Sequence, residues 1–165
     1  MTSSSPGEVI VRPMMPEDLP AATAVLAKWN MAPRPDLEDA ERSGIDVSNS
    51  FVAERDGEIL GMASYLMLGP DTAETASLAV DPASRGLGLG YQLQVARLEA
   101  MWRRGVRRVR TETDRPATID WYLEKFGYEL VGTNPKKHTF SLPDVDEWAV
   151  LELDLKRWAA DRGLG

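Results

Sequence analysis

The run RGLGLG at residues 85–90 sets Gly86, Gly88 and Gly90 at alternate positions, directly after a β-type run ending SLAVDP and at the start of the longest amphipathic stretch in the chain. Glycine has no Cβ, so such a turn lets a large anion approach the backbone. Where a helix then begins, its unpaired N–H groups and its dipole both favour negative charge. The chemistry on offer is phosphate binding, with an ordinary glycine-rich tight turn as the plain alternative. Two phosphate loops fit badly. A Walker A loop ends Gly-Lys-Ser/Thr, whereas Gly90 is followed by Tyr91. A dinucleotide fingerprint, GxGxxG, belongs after the first strand of a parallel unit, and these glycines alternate and lie past the chain's midpoint. The remaining pattern, Arg/Gln-x-x-Gly-x-Gly/Ala, is met by Arg85, Gly88 and Gly90.

Composition narrows the other chemistry. The 165 residues suit one domain with a full core. Without cysteine there is no disulfide, thiolate zinc site or cysteine acyl-enzyme, and a single histidine, His138, makes a histidine-based metal site improbable. The start MTSSSPGE has neither a basic opening nor an apolar core, and no window approaches a membrane span, so a cytoplasmic protein without a membrane partner is expected. A net charge of -7 disfavours nucleic acid. Seven arginines against one acid, Glu99, lie between Arg85 and Arg110, which suits a phosphate-rich ligand. For all but Arg85, a solvated basic helix end and strand edge explains them equally well. The acidic remainder, including Asp36, Glu38, Asp39, Glu41 and Asp46, would attract a cationic acceptor and also serves solubility.

The elements that must position the loop can be read from pattern. Residues 8–13 (EVIVRP) form a first strand closed by Pro13, and Pro16, Glu17 and Asp18 open a helix expected to reach about Trp29. Pro33 and Pro35 break the chain before a short helix over DLEDAERSG that ends at Gly44. SFVAER and EILGMASYLML are strands separated by Asp56-Gly57, a hairpin signal, and residues 74–80 form a third. The helix over residues 89–105 carries two apolar stripes, one with Leu89, Leu93, Ala96 and Ala100, the other with Tyr91, Val95, Leu98 and Trp102. One stripe packs on the sheet; the other meets the C-terminal segment carrying Trp158 or a second subunit, as in a homodimer. VRRVRTET then alternates as a strand, and Asp114 or Thr118 is expected to cap a helix carrying Trp121 and Tyr122. Residues 128–131 and 148–155 are the last strands, joined by the long excursion NPKKHTFSLPDVDE. The order β-α-α-β-β-β-α-β-α-β-β predicts a mixed sheet with helices on both faces. It fills a single domain over residues 8–165 after a disordered tail of residues 1–7.

The strand, the loop with Arg85, Gly88 and Gly90, the following strand at 106–112, the helix at 116–126 and the pair Gly127-Tyr128 resemble the GNAT superfamily of acyl-CoA-dependent N-acyltransferases across residues 8–155. The resemblance implies an α/β fold with a mixed, mainly antiparallel central sheet flanked by helices, acetyl-CoA as co-substrate, an amine as acceptor and no metal. It puts the pyrophosphate against the backbone of Arg85, Gly86, Leu87, Gly88, Leu89, Gly90 and Tyr91. The pantetheine arm would follow the preceding strand, where amides of Leu78, Ala79 and Val80 hold it and polarise the thioester carbonyl.

An amine with a pKa of about 10.4 is mostly ammonium at neutral pH and must lose a proton before it attacks. Glu74 stands six residues before Val80, where some relatives carry a catalytic glutamate, and even separation would put both side chains on one strand face. A solvent-facing acid is the alternative. Many relatives protonate the leaving thiolate with a tyrosine four residues before the glycine of the last motif. Here that register falls on Leu123, and Tyr122 lies five residues before Gly127, a rotation of about 100°. Tyr122 is therefore the acid candidate against a packing role beside Trp121. The asparagine that often contacts pantetheine is absent, with Asp114 or Arg115 in its neighbourhood. Acceptor contacts are expected from residues 29–36, where Trp29, Asn30 and Met31 are singled out, and from residues 135–146, where His138 stands near Lys136 and Lys137. The activity expected is direct acetyl transfer to a primary amine of a small molecule. A protein N-terminus or lysine is the second choice of acceptor, and a catalytically silent acyl-CoA-binding module is the competing class.

Overall fold

The chain's punctuation falls at its prolines and glycines, and in the computed structural model, which describes residues 7–32, 45–84, 86–137 and 141–164, most elements start and stop there. The short helix expected over DLEDAERSG, together with Arg85 and His138, lies outside the described residues. Seven strands, β1 (Ile10–Pro13), β2 (Ser50–Arg55), β3 (Glu58–Met67), β4 (Thr72–Val80), β5 (Arg108–Thr113), β6 (Glu129–Pro135) and β7 (Glu147–Asp154), form one sheet in the order β1-β2-β3-β4-β5-β7-β6. Among the described residues every pairing is antiparallel except that of β4 with β5. The β2/β3 hairpin turns where Asp56-Gly57 predicts: both residues have positive φ, 52° and 82°, as a two-residue turn that matches strand twist requires.

The helices are α1 (Leu19–Ala27), preceded by a 3-10 turn at Pro16–Asp18, then α2 (Leu89–Arg103), α3 (Pro116–Phe126) and α4 (Leu155–Asp161). α1 stops short of Trp29, and Asn30 sits in the left-handed region at φ 57°. The expected caps of α3 are not used. Arg115 is the N-cap residue, and Pro116 opens the helix with its φ already set. Asp114 is instead paired with Lys136 at 2.6 Å. α4 was not legible as a helix in the sequence; the Asp154 carboxylate accepts from the Arg157 N–H at 3.2 Å and starts it.

α2, α3 and α4 cover one face of the sheet, where Leu98, Met101, Tyr122, Phe126, Trp158 and Ala159 pack with Ala73, Val109 and Leu151. On the other face α1 packs Val25 and Leu26 on Val52, Met62 and Ala79. Of the second stripe of α2, Leu98, Val95 and Trp102 join the cluster that holds Trp158 of the C-terminal helix, whereas Tyr91 stays exposed; full burial of a side chain such as Leu98 is worth about 1.5–3 kcal/mol.

One irregularity in the sheet decides which way the side chains of β4 point. Ser64 pairs with Ser77 and Tyr65 with Thr75, so Ala76 is an extra residue bulged out of β4. The alternation of faces restarts there. Before the bulge Ala73 belongs to the α2 cluster; after it Leu78 and Val80 pack on Leu89 and Leu93 of α2, and Ala79 turns to α1. Glu74 and Val80 consequently point to opposite faces, and the shared face expected from their even spacing does not exist.

Candidate active site

β4 pairs with β5 only over residues 72–75 against 108–111. Beyond the bulge β4 stays with β3 as far as Val80 opposite Gly61, while β5 stays with β7 through Glu112 and Thr113. The two central strands therefore part, and a cavity of about 250 Å³ opens between residues 76–80 and 111–115. Asp81 N–H donates to Leu60 on β3 at 2.7 Å. Because peptide groups alternate in direction along a strand, Ala79 also faces β3, whereas Leu78 and Val80 direct theirs at the cleft. The Val80 carbonyl accepts from the Trp29 indole N–H at 2.8 Å. The N–H and C=O of Leu78 and the N–H of Val80 form an edge on which an extended, amide-bearing ligand could pair as a strand does.

The glycine loop stands at the mouth of this cleft. Gly86 and Gly88 have φ of 85° and 72°, and Gly88 leads into α2 with no side chain capping the helix, which leaves its first-turn N–H groups for another acceptor. Leu89 anchors the loop beside Leu93 and Ala53, whereas Leu87 is exposed. Gly90 lines the cavity, and a Cβ there would stand 3.9 Å from both Trp121 and Val80. Tyr91 stacks on Phe126 with ring centroids 5.3 Å apart. The arginines after the loop do not converge on it. Arg107 and Arg108 sit at the opposite end of β5 beside Asp71, Arg104 donates to Asn49 at 2.7 Å, and Arg110 lies within β5. Arg97 is fully buried.

Tyr122, not Leu123, reaches the cavity. The extra residue before Gly127 is absorbed by a wide last turn, in which the N–H groups of Gly127 and Tyr128 both point at the Tyr122 carbonyl and Gly127 takes φ 77°. Tyr122 is 3% exposed, and its hydroxyl oxygen accepts from Arg97 Nη2 at 2.9 Å. Glu74 does not line the cavity. Its carboxylate lies 3.8 Å from Arg110 Nε, on the segment where β4 and β5 are still paired. Glu112, which sequence reasoning passed over as a strand end, does line it, and accepts from Arg110 Nη2 at 3.0 Å and Asn134 Nδ2 at 2.6 Å. Asp114 also lines it but is committed: it holds Lys136 and the Leu142 N–H, at 2.6 and 2.8 Å, and so ties the excursion before β7 to the end of β5.

Of the expected acceptor contacts, Trp29 and Met31 line the cavity. Asn30 is a tie instead: its carbonyl accepts from Ser141 N–H at 3.0 Å, and its Nδ2 donates to the Ser141 carbonyl at 3.4 Å. Arg115, absent from the expected contacts except as a neighbour, lays its guanidinium over the Trp29 ring at 4.9 Å. Its Nε is buried with no hydrogen-bond partner.

Comparison with known proteins agrees with this geometry. No curated protein matches the sequence. The fold is shared with the ribosomal-protein-S18-alanine N-acetyltransferase of Escherichia coli at 20% identity and TM-score 0.70, covering 90% of this chain and 94% of that one. An N-acetyltransferase from Staphylococcus aureus Mu50 is similar at 22% identity and TM-score 0.66, covering 90% and 99%. N-acetylglutamate synthase from Neisseria gonorrhoeae, crystallised with coenzyme A and N-acetyl-glutamate, is similar at 20% identity and TM-score 0.69 over 92% of this chain, which spans 36% of that longer protein. Residues 14–128 match the family model described as Acetyltransferase (GNAT) family. With the match running from before α1 to the turn after α3, and so through the parted strands, the glycine loop and Tyr122, the chain belongs to the GNAT acetyltransferase family.

Proposed function

We propose that the protein transfers an acetyl group from acetyl-CoA directly to a primary amine of a small molecule. The observation that carries this is the parting of β4 and β5 beside an uncapped, glycine-led helix start, since one ligand would need both features: amides to pair with a strand edge and a pyrophosphate to accept N–H groups. The pyrophosphate lies on the N–H groups of residues 86–91, with Arg85 adding charge, and the pantetheine pairs with Leu78 and Val80. The acceptor enters beside Trp29 and Met31. Arg115, which lines the cavity with its guanidinium over the Trp29 ring, supplies charge for a ligand carbonyl or carboxylate oxygen.

The proton traffic follows from which groups line the cavity. Among its described lining residues the carboxylates are Glu112 and Asp114, and both are hydrogen-bonded, Glu112 to Arg110 and Asn134 and Asp114 to Lys136 and the Leu142 N–H. The Asp114 side chain is 1% exposed and that of Glu112 22%, so Glu112 is the one an entering amine can reach and takes the ammonium proton, a role the sequence suggested for Glu74. The amine lone pair attacks the thioester carbon, the C–S bond breaks with its electron pair remaining on sulfur, and Tyr122 gives the sulfur a proton. The proton that the acylated nitrogen then sheds restores Tyr122. General acid–base groups contribute about 10²–10⁴-fold, so Tyr122→Phe and Glu112→Gln should each lower kcat by roughly 100-fold or more. Glu74→Gln should change it less than about threefold, by the same standard. Thiol release from acetyl-CoA with a panel of amino acids, polyamines, aminoglycosides and N-terminal peptides tests the whole scheme. Peptide-only turnover would replace the small-molecule acceptor; saturable acetyl-CoA binding without turnover on any amine would overturn the reaction.

A further inference from the structure

Among the described residues Arg97 is a fully buried cationic side chain. It is 0% exposed, and among the described residues no carboxylate pairs with it. Burying a guanidinium is costly unless its N–H groups are all directed at acceptors. Four of its five are used: Nε–H on Gln94 Oε1 at 2.7 Å, Nη1 on the carbonyls of Ser64 and Ser77 at 3.0 and 2.7 Å, and Nη2 on Tyr122 Oη at 2.9 Å. The two carbonyls flank the Ala76 bulge, whose extra residue breaks the ladder there. Gln94 is itself held, its Nε2 donating to Tyr128 Oη at 2.8 Å. Burial pushes the Tyr128 hydroxyl well above its ordinary pKa, so that ring stays neutral and the cationic charge of Arg97 is not cancelled from that side.

We propose that Arg97 is a positioning residue that serves the thiolate-protonating step through Tyr122, a role resting on the acyltransferase chemistry proposed above. Because the Tyr122 oxygen already accepts from Nη2, its own hydrogen points away from Arg97, and the tyrosine lines the cavity where β4 bulges. When the C–S bond has broken, the Tyr122 O–H bond breaks and an S–H bond forms, leaving the electron pair on Oη. Charge then appears 2.9 Å from a guanidinium that no other anion among the described residues neutralises. In a buried setting that attraction is large and needs no rearrangement, because Ser64, Ser77 and Gln94 hold the guanidinium in place beforehand. The two bonds to the Ser64 and Ser77 carbonyls also hold the strands at the bulge, so the widening of the cleft and the orientation of the acid meet in one side chain.

The test is a double-mutant cycle on the full chain, read as kcat and KM for acetyl-CoA with the best amine of the panel. Arg97→Met should lower kcat by roughly 100-fold with KM changed less than about threefold, and Arg97→Lys, which keeps the charge, should recover at least about tenfold of that loss. In a Tyr122→Phe background both Arg97 substitutions should change kcat by less than about twofold, because there is no phenol left to serve. Should Arg97→Met not fold, as judged by circular dichroism, Arg97→Lys in the two backgrounds decides alone. Equal losses in both backgrounds, or a loss confined to KM, would mean that Arg97 only props the sheet, and would overturn the role while leaving the acyltransferase chemistry intact. Absence of turnover by the unmodified protein on every amine would overturn both, so the two failures are distinguishable.

Discussion

Among single residues, Asp18 shows how chemistry far from the cleft helps to hold it. The Arg12 guanidinium donates to both carboxylate oxygens of Asp18, at 2.7 and 3.0 Å, and Met15 N–H adds a third bond at 2.8 Å, just before α1 begins. These hydrogen bonds, those from Arg12 foremost, depress the Asp18 pKa. A carboxylate with a lowered folded pKa stabilises the fold above its unfolded value, about 3.9, and that contribution is lost as pH falls through the folded value. Asp18→Asn should therefore cost about 1–3 kcal/mol at pH 7, and the gap to the unmodified protein should narrow as pH falls below about 3.9, measured by urea unfolding at several pH values. An unchanged gap at low pH would remove the ionic explanation. Side chains like these differ in how readable they are. Tyr122 was legible because its neighbours announce its place, even one residue out of register. Arg97 was not: within a run of arginines on an amphipathic helix it resembles any solvated cation, and what it answers to, two carbonyls at a bulge, is made by β3 and β4.

Elements show the same division between local and nonlocal causes. The Asp56-Gly57 turn is set by the residues that make it and stands where the sequence predicts, whereas α3 opens at Pro116 and uses neither of the expected caps, Asp114 or Thr118. The β4 bulge contains Thr75, Ala76 and Ser77, none of which advertises an irregularity, and it reverses the face that even spacing gives Glu74. α4 was missed because its seven residues are too few to show a helical period against the strand before them. Where β3, β4 and α2 meet, the need for glycine is equally nonlocal. A Cβ on Gly61 would stand 3.0 Å from the Ala79 carbonyl oxygen and 3.0 Å from Leu93 Cδ1. The leucine can shift, but the carbonyl belongs to a paired strand and cannot. Gly61→Ala should destabilise the protein by about 1–3 kcal/mol, an overpacking cost read as a lower urea midpoint at unchanged slope. A midpoint within error of the unmodified protein would show that β4 is free to move at this point.

At the scale of the whole molecule, a seven-stranded sheet is interrupted at its one parallel junction among the described residues, and ligand-directed features collect there: an unpaired strand edge, an uncapped helix start and an acid candidate held by a buried cation. The two halves of the sheet, β1 to β4 and β5 to β7, are joined across that junction by only four residue pairs. A ligand spanning the gap adds contacts to both halves that the unfolded chain cannot make, so it must raise stability by mass action. Acetyl-CoA at about 100 times its Kd should add about 2.7 kcal/mol, which for a chain of this size raises Tm by about 5–10 °C. Hydrogen exchange should slow at Leu78, Val80 and residues 86–91, the groups directed at the cleft or left uncapped at its mouth, and stay unchanged in β1 and β6 at the sheet's outer edges. An oligonucleotide at the same concentration should move neither measurement, because the net charge of -7 opposes a polyanion that lacks a matching edge to pair with. Equal shifts from acetyl-CoA and oligonucleotide would reduce the loop to a generic phosphate contact; a Tm rise with protection confined to residues 86–91 would leave the pyrophosphate grip standing and remove the strand-like pairing of the arm along β4.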